Sequence, residues 1–277
     1  MKFQPISRCR SWLTHARAER FQPEVLESEG PIVSLTSIPE RFHLLGYVLK
    51  SLLWQKRRPS SIQLWIAVGT RNKIPKEVDE LTSFGVVITE VDDVGPHTKL
   101  LPALKAFPES AVITADDDII YPPDWLEKLV KGAETAPESI HCLRALKIGG
   151  SGAEFFPYQE WEAVRHHESG TEKGLLPLGY GGVFYPPKAF SEEVFDIAAL
   201  KECCPKADDL WWKVMSHRNG TSSFKVPDSF RGIVYVKDSQ SVGLKYENCL
   251  VGTKNDDQWA QLVSRYSLNV EDFSRSN

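Results

Sequence analysis

The stretch from Ala111 to Trp125 constrains the fold more than any other part of the chain. Ala111 to Ala115 is a short apolar run of the kind that forms a strand buried on both faces, and it ends in Asp116-Asp117-Asp118, Ile119-Ile120-Tyr121 and a Pro122-Pro123 turn. Three adjacent carboxylates in a partly desolvated setting repel one another by roughly a few kcal/mol, so a cation or a dense set of donors has to offset them. In an extended segment side chains alternate, which puts Asp116 and Asp118 on one side and Asp117 on the other. Two hard oxygen ligands then converge, a set suited to Mg²⁺ or Mn²⁺. A solvated acidic turn, with Asp117 or Asp118 capping a helix that starts near Pro123, is the plain alternative. The apolar strand in front favours a ligand site, because open α/β sheets bind ligands just beyond the carboxyl ends of their strands.

The residues before this strand alternate between the two hydrophobic periods. Pro31 to Thr36 reads as a first core strand, and Leu44, Leu45, Val48, Leu49, Leu52 and Leu53 follow at helical spacing. Ile62 to Val68 is a second strand, a short helix runs through Val78 and Leu81, and Val86 to Glu90 is a third strand. Gly95-Pro96-His97-Thr98 introduces a helix over 99–106 that returns the chain to the acidic strand. Strand, helix, strand, helix, strand is the pattern of a doubly wound, mostly parallel sheet.

Beyond the aspartates, 125–136 is a predicted helix and Ile140 to Leu146 a predicted strand. The pattern then changes. Gly149 to Gly174 is long and rich in glycine and charge, with His166 and His167 in its middle; adjacent histidines suit a metal, but a solvated loop explains them equally without one. Leu178-Gly179-Tyr180-Gly181-Gly182 precedes an apolar run, and glycines this dense imply close backbone approach to a neighbouring element or a ligand. A helix opens at about Pro205-Lys206-Ala207-Asp208-Asp209-Leu210-Trp211-Trp212 and runs to Asn219-Gly220, and another closes the chain near 257–266.

Charge and cysteine usage exclude several classes of partner. A net charge of −4 and a pI of about 6.0 give no electrostatic reason to bind nucleic acid. Cys9, Cys142, Cys203, Cys204 and Cys249 form an odd set without a CxxC spacing, so neither a disulfide framework nor a zinc site is indicated, and a reducing cytoplasm is the expected setting. No apolar stretch approaches the ~18 residues that span a bilayer. Residues 1–30 form a basic extension in which Lys2, Arg8, Arg10, Arg17 and Arg20 interleave with Phe3, Ile6, Trp12, Leu13 and Phe21. Such an arm suits peripheral contact with an anionic membrane, and equally a plain terminal extension. Residues 31–277 make the remaining domain.

Five segments together resemble a family. Thr36-Ser37-Ile38-Pro39-Glu40-Arg41, Gly95-Pro96-His97-Thr98-Lys99-Leu100, Asp116-Asp117-Asp118-Ile119-Ile120-Tyr121-Pro122, Gly181-Gly182-Val183-Phe184-Tyr185-Pro186 and Ala207-Asp208-Asp209-Leu210-Trp211 occur in the order seen in bacterial GT-A glycosyltransferases. These are the family 2-like enzymes of surface-polysaccharide and lipopolysaccharide assembly. The resemblance covers about 32–219 and implies a GT-A, Rossmann-like α/β fold with a mostly parallel central sheet flanked by helices. It implies metal-dependent transfer of a sugar from a nucleoside diphosphate, a UDP-sugar first, to a glycan or lipid-linked glycan.

By the same resemblance, Asp116-Asp117-Asp118 matches the Asp-X-Asp motif, with Asp118 on the metal and Asp116 on ribose or metal. Thr36 and Arg41 fall at the nucleobase site, Lys99 at the donor phosphates, and Asp117 beside them. Asp209 matches the catalytic base of inverting enzymes, an expectation that has to overcome the helix N-terminus, which weakens a carboxylate as a base. Asp208 then reads as an N-cap or an acceptor contact. Tyr180, Gly181, Gly182 and Trp211 are the remaining acceptor-side candidates, with Trp212 as readily core. Two rivals stand beside this reading. A sugar nucleotidyltransferase would carry a glycine- and basic-rich loop after the first strand, and a non-catalytic glycan-binding protein would be free to lose Asp118 or Asp209.

Overall fold

The computed structural model describes residues 26, 30–165, 167–227, 234–236 and 254–274. Its main sheet has eight strands: β1 (Ile32–Thr36), β2 (Ser61–Ala67), β3 (Val86–Val91), β4 (Val112–Thr114), β5 (Ile140–Cys142), β6 (Gly170–Glu172), β7 (Val183–Tyr185) and β8 (Ser223–Lys225), in the order β6-β8-β5-β7-β4-β1-β2-β3. The β4-β1-β2-β3 half is parallel throughout. The other half is mixed: β7 runs antiparallel to β4 and β5, β8 parallel to β5, and β6 antiparallel to β8.

Alternation along the strands divides the core between the two faces of the sheet. Ile62, Leu64 and Ile66 of β2 face one cluster while Trp65 faces the other, and Phe184 of β7 is likewise separated from Val183 and Tyr185. Helices α1 (Leu45–Leu53) and α4 (Trp125–Thr135) cover the first face, α1 through Leu45, Val48, Leu49, Leu52 and Leu53 at the spacing read from the sequence. Between them in the chain lie the short α2 (Lys76–Asp79) and α3 (Leu101–Ala106). The second face carries α3, α5 (Ile197–Cys203), α6 (Asp208–Arg218) and α7 (Lys254–Tyr266). Eight buried hydrophobic side chains of α1 and α4, Trp125 among them, are no more than about 2 % exposed, so that face alone holds well over ~10 kcal/mol of gross hydrophobic burial before conformational entropy is subtracted.

Two expectations change. The single strand expected from Ile140 to Leu146 is broken at Leu143-Arg144: β5 stays in the main sheet, and Ala145–Lys147 leaves it to pair with Glu162–Ala163 and Leu175–Pro177 in a second, three-stranded sheet. The long segment from 149 to 174 contains a hairpin, Gly150–Ser151 with Glu154–Phe155, and β6. The basic extension falls almost wholly outside the described residues, as do Cys9, Cys249 and His166. Among the described residues no helix is long and apolar enough to cross a membrane, and no group of three or more His, Cys, Asp and Glu is placed to hold a metal.

Candidate active site

The parallel strands deliver their carboxyl ends to one place. β4 stops at Thr114, so Asp116 to Asp118 lie in a turn and the expected strand alternation does not apply. Asp117 and Asp118 both turn toward the segment after β1. Ser37 Oγ donates to Asp117 Oδ2 at 2.6 Å and Arg41 to Oδ1 at 2.6 Å, with the Arg41 guanidinium 3.5 Å from Asp118. Asp116 goes the other way, its Oδ1 3.0 Å from Lys99 Nζ, while its backbone N–H donates to the Tyr121 hydroxyl at 2.8 Å.

These contacts correct the reading of two residues. Both oxygens of Asp117 are taken by protein donors, so it anchors the turn to the β1 side. Arg41, expected at a nucleobase, is held on the acidic turn. Asp118 has less compensation: burial pushes its carboxyl up to about 7, Asp116 and Asp117 add to the rise, and Arg41 opposes it. A carboxylate raised by its neighbours' charge is one that gains from an added cation. With Asp117 engaged, Asp116 and Asp118 remain as two hard oxygen donors, the protein share usual where Mg²⁺ or Mn²⁺ also binds substrate phosphates, and the residues therefore fit such a cation.

The second acidic pair arrives on α6. Ala207 is the N-cap residue, and Asp208 and Asp209 are the first two helical residues, so Asp208 is not the cap. Instead Asp208 Oδ2 lies 2.9 Å from Lys99 Nζ and accepts from Trp212 Nε1 at 3.3 Å. The two oxygens of Asp209 accept from the Gly179 backbone N–H at 3.1 and 3.2 Å. A Cβ at Gly179 would stand 2.8 Å from Lys99 Nζ and 3.1 Å from Asp209 Oδ1, so this glycine is what lets the chain come so close. Burial pushes Asp209 up to about 8 and Asp208 reinforces the rise, while Lys99 and the Gly179 N–H oppose it. Burial thus outweighs the helix N-terminus, which by itself would favour the ionised carboxylate. Burial alone would lower Lys99; Asp116, Asp208 and Asp209 outweigh it and hold the ammonium well above the ordinary lysine value.

The remaining candidates separate clearly. Trp211 is fully buried, its Nε1 donating to the Val194 carbonyl at 3.3 Å, so it is core and not an acceptor platform; Trp212 is buried as well. Gly181 and Gly182 owe their lack of side chains to the protein itself. A Cβ at Gly182, whose φ is +87°, would meet the Trp125 indole at 2.4 Å, and one at Gly181 would meet Arg144 at 2.7 Å. Tyr180 is half-buried at the rim, with its hydroxyl raised by burial. Thr36 donates to the Trp65 carbonyl at 2.9 Å, bracing the sheet at the end of β1. Lys99, expected to face a diphosphate, is 8 % exposed and committed to carboxylates.

Three contributors were not singled out from the sequence. Ser37 and Gly179 stood inside quoted segments, but only their partners, 80 and 30 positions away, reveal what they do. The third is a short strand, Val234–Tyr235, which pairs with Ile119–Ile120 and extends to a bond from the Val236 N–H to the Asp118 carbonyl at 2.8 Å. No local pattern in the sequence announces that pairing.

No curated protein matches the chain. Among solved structures it is similar to TarS residues 1–349 of S. aureus, at 13% identity and a TM-score of 0.47 over 75% of this chain and 59% of that one, and to the same protein in complex with UDP-GlcNAc, at 12% identity, a TM-score of 0.47, and 75% and 57% coverage. It therefore spans less than two thirds of either TarS chain. A CMP:2-keto-3-deoxy-manno-octonic acid synthetase is also similar, at 11% identity and a TM-score of 0.41, over 75% of this chain and 93% of that one. The family model described as glycosyl transferase family 2 matches residues 41–195, more than half of the chain, a span that takes in Arg41, Lys99, the three aspartates and Gly179. An α/β sheet with an acidic turn at the end of β4, and a family match running through that turn, make the chain a member of glycosyl transferase family 2.

Proposed function

We propose that the enzyme moves a sugar from a nucleoside diphosphate, a UDP-sugar first, to a hydroxyl of a glycan or lipid-linked glycan, with inversion and with Asp209 as the base. The observation that carries this reading is the joining of the two acidic motifs: Lys99 lies 3.0 Å from Asp116 and 2.9 Å from Asp208, so the turn suited to a donor and the carboxylate suited to a proton share one site. Asp209, at about 8, accepts a proton readily as an acceptor oxygen attacks, and its Gly179 N–H bond fixes where that oxygen has to stand. Arg41 and Ser37 keep Asp117 neutralised and the turn in place. Asp118 and Asp116 would hold Mn²⁺ or Mg²⁺; when bound, such a cation supplies charge stabilisation to the departing diphosphate. Tyr180 and Arg144 border the acceptor side, where Tyr180 offers the half-exposed ring on which a sugar can stack.

A panel of nucleotide sugars tested for thermal stabilisation with and without Mn²⁺ examines this reading directly. A ligand at 100 times its Kd stabilises the native state by about 2.7 kcal/mol, a shift easily read. The expected result is stabilisation by a UDP-sugar only when Mn²⁺ is present. Metal-independent stabilisation removes the roles given to Asp116 and Asp118, and retained anomeric configuration in the product removes Asp209 as base.

A further inference from the structure

The surroundings of Lys99 are built to hold its ammonium still. Its backbone carbonyl accepts from Ser34 Oγ at 2.6 Å, and the same Ser34 oxygen accepts from Trp65 Nε1 at 2.8 Å, which pins the residue to β1 and β2. At the far end of the side chain Nζ meets Asp116 from the end of β4 and Asp208 from the start of α6, in a space left open by Gly179. The nearby His97 adds no second cation. Its Nε2 bonds the Cys204 carbonyl at 2.7 Å, its ring packs edge-on against Trp212 at 5.3 Å, and burial pushes its value down to about 4. Lys99 thus supplies the positive charge that lies between the end of β4 and the start of α6.

The geometry points to Lys99 as a positioning residue that clamps the Asp208–Asp209 end of α6 against Asp116, and not as a ligand of the donor phosphates. This deepens the proposed function and rests on its assignment of Asp209 as base. The clamp joins elements packed on opposite sides of the sheet: α6 belongs to the core cluster of Trp211 and Leu210, and the acidic turn sits beside that of Ile119 and Tyr121. Without the ammonium, Asp116 and Asp208 lose their common partner and repel, and the helix start that carries Asp209 is displaced from the reacting atoms. Misplacement of a catalytic group by about 1 Å costs on the order of 10²-fold in rate, while the donor's own contacts remain.

The test is a double-mutant cycle on Lys99→Met and Asp208→Asn. It is followed by UDP release from the UDP-sugar that stabilises the protein most, and by calorimetric titration with UDP plus Mn²⁺. A clamp predicts that each single variant loses about 10- to 100-fold in kcat, that UDP affinity stays within about twofold of wild type, and that the double variant is no slower than the worse single one by more than about twofold. Losses that multiply, or UDP affinity that falls while kcat holds, overturn it. If Lys99→Met does not fold, Lys99→Gln carries the test, because it keeps a polar side chain but removes the charge that holds Asp116 and Asp208 together; unchanged kcat in that variant also overturns the clamp. Asp209→Asn is measured alongside. If it is inactive while Lys99→Met transfers at the wild-type rate, the clamp alone fails; if Asp209→Asn itself transfers at the wild-type rate, the assignment of the base fails first.

Discussion

The two acidic clusters of the site are compensated in opposite ways. Asp117, on the β4 side, has its own arginine and its own hydroxyl, at 2.6 Å each. Asp209, on the α6 side, has a backbone N–H and no cation of its own, and it shares an adjacent carboxylate's lysine. Burial raises both carboxyls, but Arg41 and Ser37 oppose the rise at Asp117, while Asp209 is pushed up to about 8. Dedicated pairing leaves a carboxylate nothing further to do, whereas shared pairing leaves one poised.

The comparison breaks most visibly at Asp209. Asp209→Asn keeps the shape and the acceptor oxygen for Gly179 but cannot take a proton, so transfer falls by roughly 10² to 10⁴ with donor affinity barely changed; initial rates of UDP release test this. The same variant reports on stability. The folded value of about 8 lies above the unfolded carboxylate value of ~4, so the protonated form favours the fold. That contribution is complete below about pH 4 and is lost as pH rises through about 8. In urea titrations from pH 5 to pH 9, Asp209→Asn gains stability relative to the wild type, and a gap that narrows contradicts the assignment.

Arg41→Met gives the converse result. It strands Asp117 in a buried position and costs about 3 kcal/mol, the range for removing one partner of a buried ion pair, as measured by urea unfolding. Wild-type stability would mean that Ser37 alone anchors the turn. Asp118→Ala comes next. It weakens UDP plus Mn²⁺ by about 1.5 to 3 kcal/mol in calorimetric titration, and the apo protein is no less stable, since Asp118 is raised to about 7 by burial and by its neighbours. The smallest effect belongs to Trp212→Phe, which removes the 3.3 Å bond to Asp208 and costs about 0.5 to 1.5 kcal/mol of stability. A large loss of acceptor affinity in that variant would return the tryptophan to sugar stacking.

The parallel half of the sheet was legible because its signals are local. The apolar stripe of α1 and the run ending in Asp116 each state their own structure within a dozen residues. The divided strand at Leu143-Arg144 was not, since periodicity cannot tell one strand over Ile140 to Leu146 from two that belong to different sheets. The site was legible in its residue types, while the protein partners of those residues were not. Asp117, Arg41 and Lys99 were each expected to face a ligand, because a sequence shows charge and not the distance to opposite charge. Trp211 and Trp212 were weighed as one buried and one exposed; α6 is packed closely enough that both are buried. Gly181 and Gly182 were expected to open space, which they do, for Trp125 and Arg144.

The bond from the Val236 N–H to the Asp118 carbonyl ties the acidic turn to a segment more than a hundred residues further along the chain. The four parallel strands and α1 are complete by residue 114, but the acidic turn that follows gains Asp208 beyond Lys99 and the strand Val234–Tyr235 across Ile119 and Ile120 only from later parts of the chain. The turn that carries Asp118 is thus closed from more than a hundred residues away. A substitution in 234–236 that breaks this pairing loosens the acidic turn while the parallel strands stay paired among themselves.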